Sequence, residues 1–202
     1  LAAGFDTTAD LSEADCILVN TCAFIESAKQ EAIDNILEAC TYKQANPHVK
    51  VVVTGCLAER YRSEILAEIP EVDAVVGMGS NKDIVSILNR LSSEAHIEAY
   101  GPKSDLPLGG PRVISTPRHY AYLKIAEGCN NRCAYCAIPL IRGNLRSRTV
   151  ADLVEEARFL ASEGVQELIV VAQDVTAFGA DRGRVGIAGL LVALNAVGGI
   201  RW

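Results

Sequence analysis

The stretch Val49-Lys-Val-Val-Val-Thr-Gly55 is a run of β-branched residues that ends at a glycine. Such a run predicts a buried strand, and apolar residues at helical spacing follow it directly. The same order of strand and helix occurs on both sides of this stretch. The repeats are predicted at residues 16–21 (strand), 24–40 (helix), 49–54 (strand), 58–69 (helix), 72–76 (strand) and 81–91 (helix). Strands that alternate with helices indicate right-handed crossovers and a parallel sheet.

A change of composition separates this first domain from a second one. Residues 92–117 contain four of the seven prolines and show no sustained period, which is typical of a linker. Beyond them the strand and helix pattern resumes, with a helix that Thr149 is expected to cap and Gly164 to end. The predicted organisation is an α/β domain with a parallel sheet at residues 1–95, a linker at 96–118 and the first part of a (β/α) barrel at 119–202.

Composition excludes several classes of protein. The 202 residues are 50% hydrophobic and 22% charged, which excludes a disordered or fibrous chain. The most apolar stretch, residues 187–200, is shorter than the ~20 residues that a membrane helix needs. The first residues lack the features of a signal peptide, so we expect an internal part of a longer cytoplasmic protein. Residues 101–148 carry eight basic and two acidic side chains although the chain has a net charge of -6, so an anionic ligand is expected there.

Three of the seven cysteines crowd into one loop, Cys129-x-x-x-Cys133-x-x-Cys136, after a predicted strand. Soft thiolates at this spacing can face one centre, either zinc or an iron–sulfur cluster. A structural zinc site needs a fourth ligand, and the nearby histidine, His119, lies on the far side of the strand. A four-iron cluster held by three cysteines instead leaves one iron open to a small molecule. The residues therefore favour an iron–sulfur cluster and leave a zinc knuckle as the alternative.

This loop resembles a known family. The motif Cys-x-x-x-Cys-x-aromatic-Cys, with Tyr135 as the aromatic residue, resembles the signature of the radical S-adenosylmethionine (SAM) superfamily, and residues 122–148 resemble its methylthiotransferases. The resemblance implies that Cys129, Cys133 and Cys136 bind a 4Fe-4S cluster whose open iron is chelated by SAM. Cleavage of SAM would yield a 5'-deoxyadenosyl radical. Such a radical is needed because no acid or base removes a proton from an unactivated carbon at a useful rate.

A second pair of cysteines follows two neighbouring predicted strands. Cys22 and Cys56 are both expected at the carboxyl edge of the sheet, where open α/β sheets bind ligands. Cys16 is expected at the opposite edge, about 20 Å away at ~3.3 Å per residue, and Cys40 continues an apolar helix stripe. The resemblance implies that Cys22 and Cys56 are two of three ligands of an auxiliary 4Fe-4S cluster, the third belonging to a segment upstream of Leu1. Two buried structural cysteines are the alternative.

Two branches of the family differ in substrate. One branch, RimO, modifies an aspartate of ribosomal protein S12, and the other, MiaB, modifies an adenosine beside the tRNA anticodon. Three stretches resemble the RimO branch: residues 20–28, with Phe-Ile after the cysteine, residues 171–179, with Ala-Gln-Asp, and residues 137–139, with Ala-Ile-Pro. The resemblance implies transfer of a methylthio group to the β-carbon of that aspartate. MiaB-like tRNA modification and a non-catalytic iron–sulfur or zinc module are the alternatives.

Six further side chains are expected near the cofactor. They are Tyr135 against the adenine, Gln173 and Asp174 toward ribose or methionine groups, and Arg142, Arg146 and Arg148 toward a carboxylate. Their structural alternatives are packing for the ring, a capped turn for the polar pair and a solvated basic loop for the arginines. No side chain is assigned to acid–base catalysis. The expected cofactors are two 4Fe-4S clusters and SAM. The expected partners are ribosomal protein S12 or the small ribosomal subunit, and an electron donor such as a flavodoxin or ferredoxin.

Overall fold

A computed structural model describes residues 4–110, 112–114, 116–183 and 186–202. The chain divides into two compact units, Leu1–Leu106 and Pro107–Trp202. Each unit contains parallel strands connected through helices, so the predicted α/β class is confirmed. Within the described ranges, no helix has both the length and the apolar character needed to cross a bilayer.

The first unit is built on a four-stranded parallel sheet in the order β1-β2-β3-β4. Its strands are β1 (Cys16–Thr21), β2 (Lys50–Gly55), β3 (Ala74–Val76) and β4 (Ile97–Ala99), and its helices are α1 (Glu26–Ala45), α2 (Cys56–Tyr61), α3 (Ser63–Glu68) and α4 (Ile84–Arg90). Because the strands are parallel, their carboxyl ends meet at one edge of the sheet.

The core of this unit lies around β2, the strand between β1 and β3. Val51, Val52 and Val53 are completely buried, as their uninterrupted β-branched run predicts. Helix α1 buries the stripe that contains Ile36 and Cys40. Leu37, on an adjacent apolar stripe of α1, is 47% exposed.

Two features of the first unit differ from the sequence prediction. The helix predicted over 58–69 is divided into α2 and α3 because Arg62 has a φ of 43°, which interrupts right-handed helical geometry. The boundary predicted at residue 95 falls before β4, and β4 pairs with β3 through Ala74 and Ile97. The unit therefore extends to Leu106, well into the predicted linker.

The second unit contains two parallel strands joined through a helix, as predicted. Its elements are β5 (Tyr120–Lys124), β6 (Ala126–Glu127), α5 (Ile138–Arg142), β7 (Arg146–Ser147), α6 (Val150–Ser162), β8 (Glu167–Val171) and α7 (Ile187–Asn195). Strand β5 pairs in parallel with β8, and β6 pairs antiparallel with β7. Thr149 caps α6 by accepting a hydrogen bond from Asp152 N, which confirms the predicted cap. The buried face of α6 packs in one core with β5 and α7.

Candidate metal and cofactor site

The three cysteines of the second unit lie on one loop between β6 and α5, beyond the carboxyl end of β5. Cys129 is buried, Cys136 is half-buried and Cys133 is exposed. The backbone N–H of Cys136 donates to the carbonyl of Cys133 at 3.0 Å, so these two residues share one turn. His119 precedes β5 at its opposite end, with its ring against Tyr120.

The thiols of this loop are free and are not grouped as ligands around one point. Among the residues that the structure describes, no three His, Cys, Asp or Glu side chains are grouped so as to hold a metal ion. All seven cysteines are described, and none forms a disulfide. Cluster binding by Cys129, Cys133 and Cys136 therefore remains a prediction. It rests on the presence of three thiols in one loop that follows the carboxyl end of a parallel strand, where α/β folds bind ligands.

The start of the cysteine loop is packed tightly against residues 143–145, which follow α5. Gly128 has a φ of +76°, and a Cβ built there would lie 2.2 Å from the carbonyl oxygen of Asn144. The N–H of Cys129 donates to the carbonyl of Gly143 at 3.2 Å. The side chain of Asn130 accepts from Leu145 N at 3.0 Å. Three successive residues thus hold the loop against residues 143–145, and the close approach requires glycine at 128.

A buried carboxylate that sequence reasoning missed lies two residues before Cys129. The Glu127 side chain is 0% exposed. Its Oε1 accepts from Arg142 Nη1 and from Gln173 Nε2, both at 2.9 Å, and its Oε2 accepts from Lys124 Nζ at 3.2 Å. Burial by itself would raise the pKa of Glu127, but Arg142 and Lys124 outweigh it and the pKa is lowered. Glu127 is therefore an ionised carboxylate. The available signal was an acidic residue directly after an apolar strand.

Gln173 and Asp174 follow β8, as predicted, and both are tied to the cysteine loop region. Gln173 donates to Glu127, while its own Oε1 is buried with no hydrogen-bond partner among the described residues. Asp174 accepts from Asn131 Nδ2 at 2.9 Å. It also accepts from Thr176 N and caps the 3-10 turn that follows, and the hydrogen bonds from Thr176 and Asn131 lower its pKa. Asp174 thus forms the capped turn of the alternative interpretation, whereas Gln173 presents an acceptor that needs a donor.

The predicted cofactor-contact arginines have different surroundings. Arg142 forms an ion pair with Glu127. Arg146 is half-buried in β7, where it lies opposite Glu127 of β6. Arg148 is 4% exposed, and its guanidinium contacts carboxylates of α6 and donates to the carbonyl of Lys124. This placement gives Arg148 a structural role, and its contact with a cofactor stays a prediction. Tyr135 is 93% exposed, so its ring does not serve the packing of this unit.

In the first unit, the strand register places Cys22 and Cys56 at the same sheet edge. Thr21 pairs with Gly55, and the two cysteines are the next residues on each chain segment. Cys22 is exposed and Cys56 is buried. Cys16 pairs with Lys50 at the other end of the sheet, as expected from the strand prediction. The two predicted ligands therefore follow directly on paired residues of adjacent strands, and such strands lie about 4.8 Å apart.

Local packing fixes the strand ends that precede these cysteines. Gly55 has a φ of +95°, and a Cβ there would lie 2.4 Å from the carbonyl oxygen of Thr21. The hydroxyl of Thr21 donates to the carbonyl of Thr54 at 2.5 Å and accepts from Leu57 N at 3.2 Å. This close contact between β1 and the start of α2 needs glycine at position 55. It sets the position of Cys56 relative to Cys22.

A second buried carboxylate, Glu59, was also missed. It lies one helical turn after Cys56, with its side chain 1% exposed. It accepts from Met78 N at 3.0 Å and from Arg62 Nη2 at 3.1 Å. Glu59 therefore anchors α2 to the residues that follow β3 at the same sheet edge.

Cys16 and Cys40 lie away from the sheet edge that carries Cys22 and Cys56. Desolvation, followed by the negative charges of Asp73 and Asp15, raises the pKa of Cys16 to about 11. Burial likewise raises the pKa of Cys40, which lies within α1. Both thiols stay protonated at neutral pH, in keeping with their interpretation as structural residues.

Comparisons with known proteins match each unit separately. Residues 1–77 match the family described as Uncharacterized protein family UPF0004, and residues 123–187 match the Radical SAM superfamily. In both domains and in their order along the chain, the protein is similar to radical SAM methylthiotransferases.

Curated relatives named "Ribosomal protein uS12 methylthiotransferase RimO" align with nearly the whole chain. The protein from Caldicellulosiruptor saccharolyticus is 45% identical over 99% of this chain and 46% of the relative. That from Acetivibrio thermocellus is 47% identical over 98% of this chain and 46% of the relative. That from Clostridioides difficile is 47% identical over 98% of this chain and 45% of the relative. The chain thus spans about half the length of these relatives and is similar to the RimO branch.

One solved structure supports the fold. It is the radical SAM methyltransferase TsrM from Kitasatospora setae, solved with its tryptophan substrate and a SAM analog. The TM-score is 0.58 at 14% identity, and the match covers 89% of this chain and 39% of that protein. At this identity the likeness concerns the fold alone.

Proposed function

We propose that the whole protein is a radical SAM methylthiotransferase that adds a methylthio group to the β-carbon of an aspartate in ribosomal protein uS12. The observation that carries this proposal is the similarity to RimO proteins across both units, at 45–47% identity. It is supported by the loop that carries Cys129, Cys133 and Cys136 after a barrel strand, and by Cys22 and Cys56 at one sheet edge.

Two 4Fe-4S clusters and SAM are the cofactors of this proposal. Cys129, Cys133 and Cys136 would hold one cluster, and Cys22 and Cys56 would contribute to the auxiliary one. When bound, the first cluster and SAM supply one-electron chemistry that can break an unactivated C–H bond. The three soft thiols, of which Cys133 and Cys136 are accessible, suit the thiolate ligation of an iron–sulfur cluster. The Oε1 of Gln173, which has no partner among the described residues, suits a ligand that carries a hydrogen-bond donor.

The chain's own residues bind and orient in this scheme. Gly128 lets the cysteine loop lie close against residues 143–145, and Asp174 ties that loop to the end of β8 through Asn131. Gln173 would accept a hydrogen bond from SAM, and the exposed ring of Tyr135 would lie against its adenine. Arg142 and Arg146 would face the carboxylate of SAM. Arg148 contributes by fixing the backbone of Lys124.

The partners and location follow from the same proposal. The substrate is uS12, alone or within the small ribosomal subunit, and the reductant is a flavodoxin or a ferredoxin. The cytoplasm is the expected compartment, because ribosomal proteins are found there and reduced thiols persist there. The net positive stretch at residues 101–148 would attract the acidic partners or ligands that this activity needs.

The proposal is tested by cluster content and SAM cleavage in the anaerobically prepared full-length protein. Iron, acid-labile sulfide and electron paramagnetic resonance separate iron–sulfur from zinc and one cluster from two. Cys133→Ala is expected to abolish formation of 5'-deoxyadenosine, because a ligand of the radical cluster is lost. Cys56→Ala is expected to retain cleavage but lose sulfur insertion, and Cys16→Ala, at the opposite sheet edge, is expected to retain both.

Three results would contradict this assignment. Equal loss of cleavage in the folded Cys133→Ala and Cys56→Ala variants would overturn the division between two cluster sites. Sulfur insertion by the Cys56→Ala variant would leave Cys56 as a core residue. A zinc-loaded protein without sulfide would favour the non-catalytic module.

A further inference from the structure

A buried side chain, together with the contacts of residues 128–130 with residues 143–145, closes the cysteine loop of the second unit. Glu127 precedes Cys129, and Arg142 follows Cys136 as the last residue of α5, so all three predicted ligands lie between them. The two side chains meet at 2.9 Å between Oε1 and Nη1. We use the name Glu127 network for Glu127 together with Lys124, Arg142 and Gln173.

The Glu127 network is expected to add little net stability to the core. A completely buried carboxylate loses its hydration, and the attraction to its partners often only offsets this desolvation penalty. An apolar residue of similar volume would stabilise the unit about as well. What a buried charge adds is geometric selection, because Glu127 is stable only where Arg142, Lys124 and Gln173 all reach it.

Glu127 also determines the orientation of the Gln173 amide. Both carboxylate oxygens already accept hydrogen bonds, Oε1 from Arg142 and Oε2 from Lys124, so the Gln173 atom that faces Oε1 at 2.9 Å is the amide nitrogen. The amide oxygen is thereby directed away from Glu127, where it is buried and without a partner. Glu127 thus fixes both the ends of the cysteine loop and a side chain at the end of β8.

We infer that Glu127 is a positioning residue for the radical SAM site: its carboxylate joins the two ends of the cysteine loop and presents the Gln173 oxygen as an acceptor. The inference rests on the proposed function in taking this loop as the one that binds the radical cluster. Glu127 itself touches neither cluster nor SAM in this role. Its effect passes through Arg142 and Gln173.

The first test uses the metal-free full-length protein and needs no cofactor. Cys129 is the buried cysteine of the three, so its alkylation by iodoacetamide, resolved by mass spectrometry, reports opening of the loop. Glu127→Gln keeps the size of the side chain and removes its charge. We expect Cys129 alkylation to rise about 10-fold or more, the factor expected when a hydrogen bond to a charged group is lost. Amide exchange is expected to rise in residues 127–143 and not in α6.

A matched control is available within the same unit. Glu156 of α6 is a largely buried carboxylate that pairs with Arg148 and Arg112, both outside residues 127–143. Arg148, which also holds the backbone of Lys124, keeps its ion pair with Asp152 when Glu156 is changed. Glu156→Gln is expected to leave Cys129 alkylation unchanged. Arg142→Gln removes the other side of the network and serves if Glu127→Gln does not fold. The double variant is expected to equal the stronger single variant, because both changes break the same interaction.

A second measurement links the loop to the cofactor. In the reconstituted and reduced protein, the electron paramagnetic resonance spectrum is followed as SAM is added. Glu127→Gln is expected to need about 10-fold more SAM for the same spectral change, in line with loss of one oriented hydrogen bond, and Glu156→Gln is expected to match the parent protein. Cys129 alkylation that is unchanged in Glu127→Gln, or that rises equally in Glu156→Gln, would overturn the inference. A parent protein without any cluster signal would contradict the proposed function, while the alkylation result still decides the role of Glu127.

Discussion

Replacing Gly128 by alanine is expected to destabilise the cysteine loop by about 1–5 kcal/mol. The φ of +76° at this position costs an L-residue about 1–2 kcal/mol, of which about 0.4–1 kcal/mol is offset by lower entropy of the unfolded chain. The new Cβ would also lie 2.2 Å from the Asn144 carbonyl oxygen, which is backbone and cannot rotate away. Relieving that overlap adds about 1–3 kcal/mol.

Gly164→Ala is the matched control for this substitution. Gly164 also has a positive φ, +95°, but no heavy atom of the described residues lies within 4 Å of a Cβ built there. This variant therefore carries the backbone strain without the steric overlap, and a cost of about 1 kcal/mol is expected.

Native-state amide hydrogen exchange of residues 126–148 in the metal-free protein measures the effect of both variants. The N–H of Cys129 and that of Arg148, which donates to the carbonyl of Ile125 at 2.9 Å, are the most direct reporters. Protection of these amides is expected to fall much further in Gly128→Ala than in Gly164→Ala. Equal loss in the two variants would refute the claim that close packing at Gly128 shapes the loop.

Three further predictions concern stability and thiol reactivity. Burial acts to raise the pKa of Asp73, but hydrogen bonds and charges from Lys43, Val51 N–H and Lys50 outweigh it and lower the pKa below its value in the unfolded chain. The ionised Asp73 therefore stabilises the first unit above about pH 4. This contribution should be lost as the pH falls through the folded pKa of Asp73. In urea unfolding, the free energy of unfolding of Asp73→Asn should therefore change less with pH in the acid range than that of the parent protein. The same pH dependence in both proteins would contradict the assignment. In the metal-free protein at pH 8, mass spectrometry should find the exposed Cys22 and Cys133 alkylated well before Cys16, and early alkylation of Cys16 would contradict its pKa of about 11. Glu59→Gln should lower the stability of the first unit by about 1–3 kcal/mol in thermal unfolding and leave the second unit unchanged, because a buried partner of Met78 N–H and Arg62 is altered.

The elements that sequence patterns predicted well are those that depend on local periodicity. β2 follows from its β-branched run, and α6 follows from its cap at Thr149 and the apolar positions after it. The register that brings Cys22 and Cys56 to one edge follows in turn from the parallel pairing of β1 and β2. For these residues, neighbours in sequence carry most of the information.

The features that the sequence did not predict depend on contacts between distant residues. β4 is three residues long, too short for a two-residue period, and it is a strand because β3 offers it hydrogen bonds. Glu127 looks like an ordinary surface acid, yet its burial depends on Arg142 and on Gln173, which lies 46 residues further on. The backbone of Arg62 at φ 43° divides a helix whose apolar spacing continues through it. In each case tertiary structure overrides a local preference.

Under the proposed function, the cysteine loop at residues 129–136 serves methylthiolation of uS12. The most direct test is the mass of the uS12 aspartate peptide from cells that lack the gene and carry either the parent full-length protein or its Cys133→Ala variant. We expect the parent to restore the mass increment of one methylthio group in place of hydrogen and the variant not to restore it. tRNA methylthiolation is expected to be the same in both. An unmodified uS12 in the presence of the parent protein, or a change confined to tRNA, would contradict the proposed function.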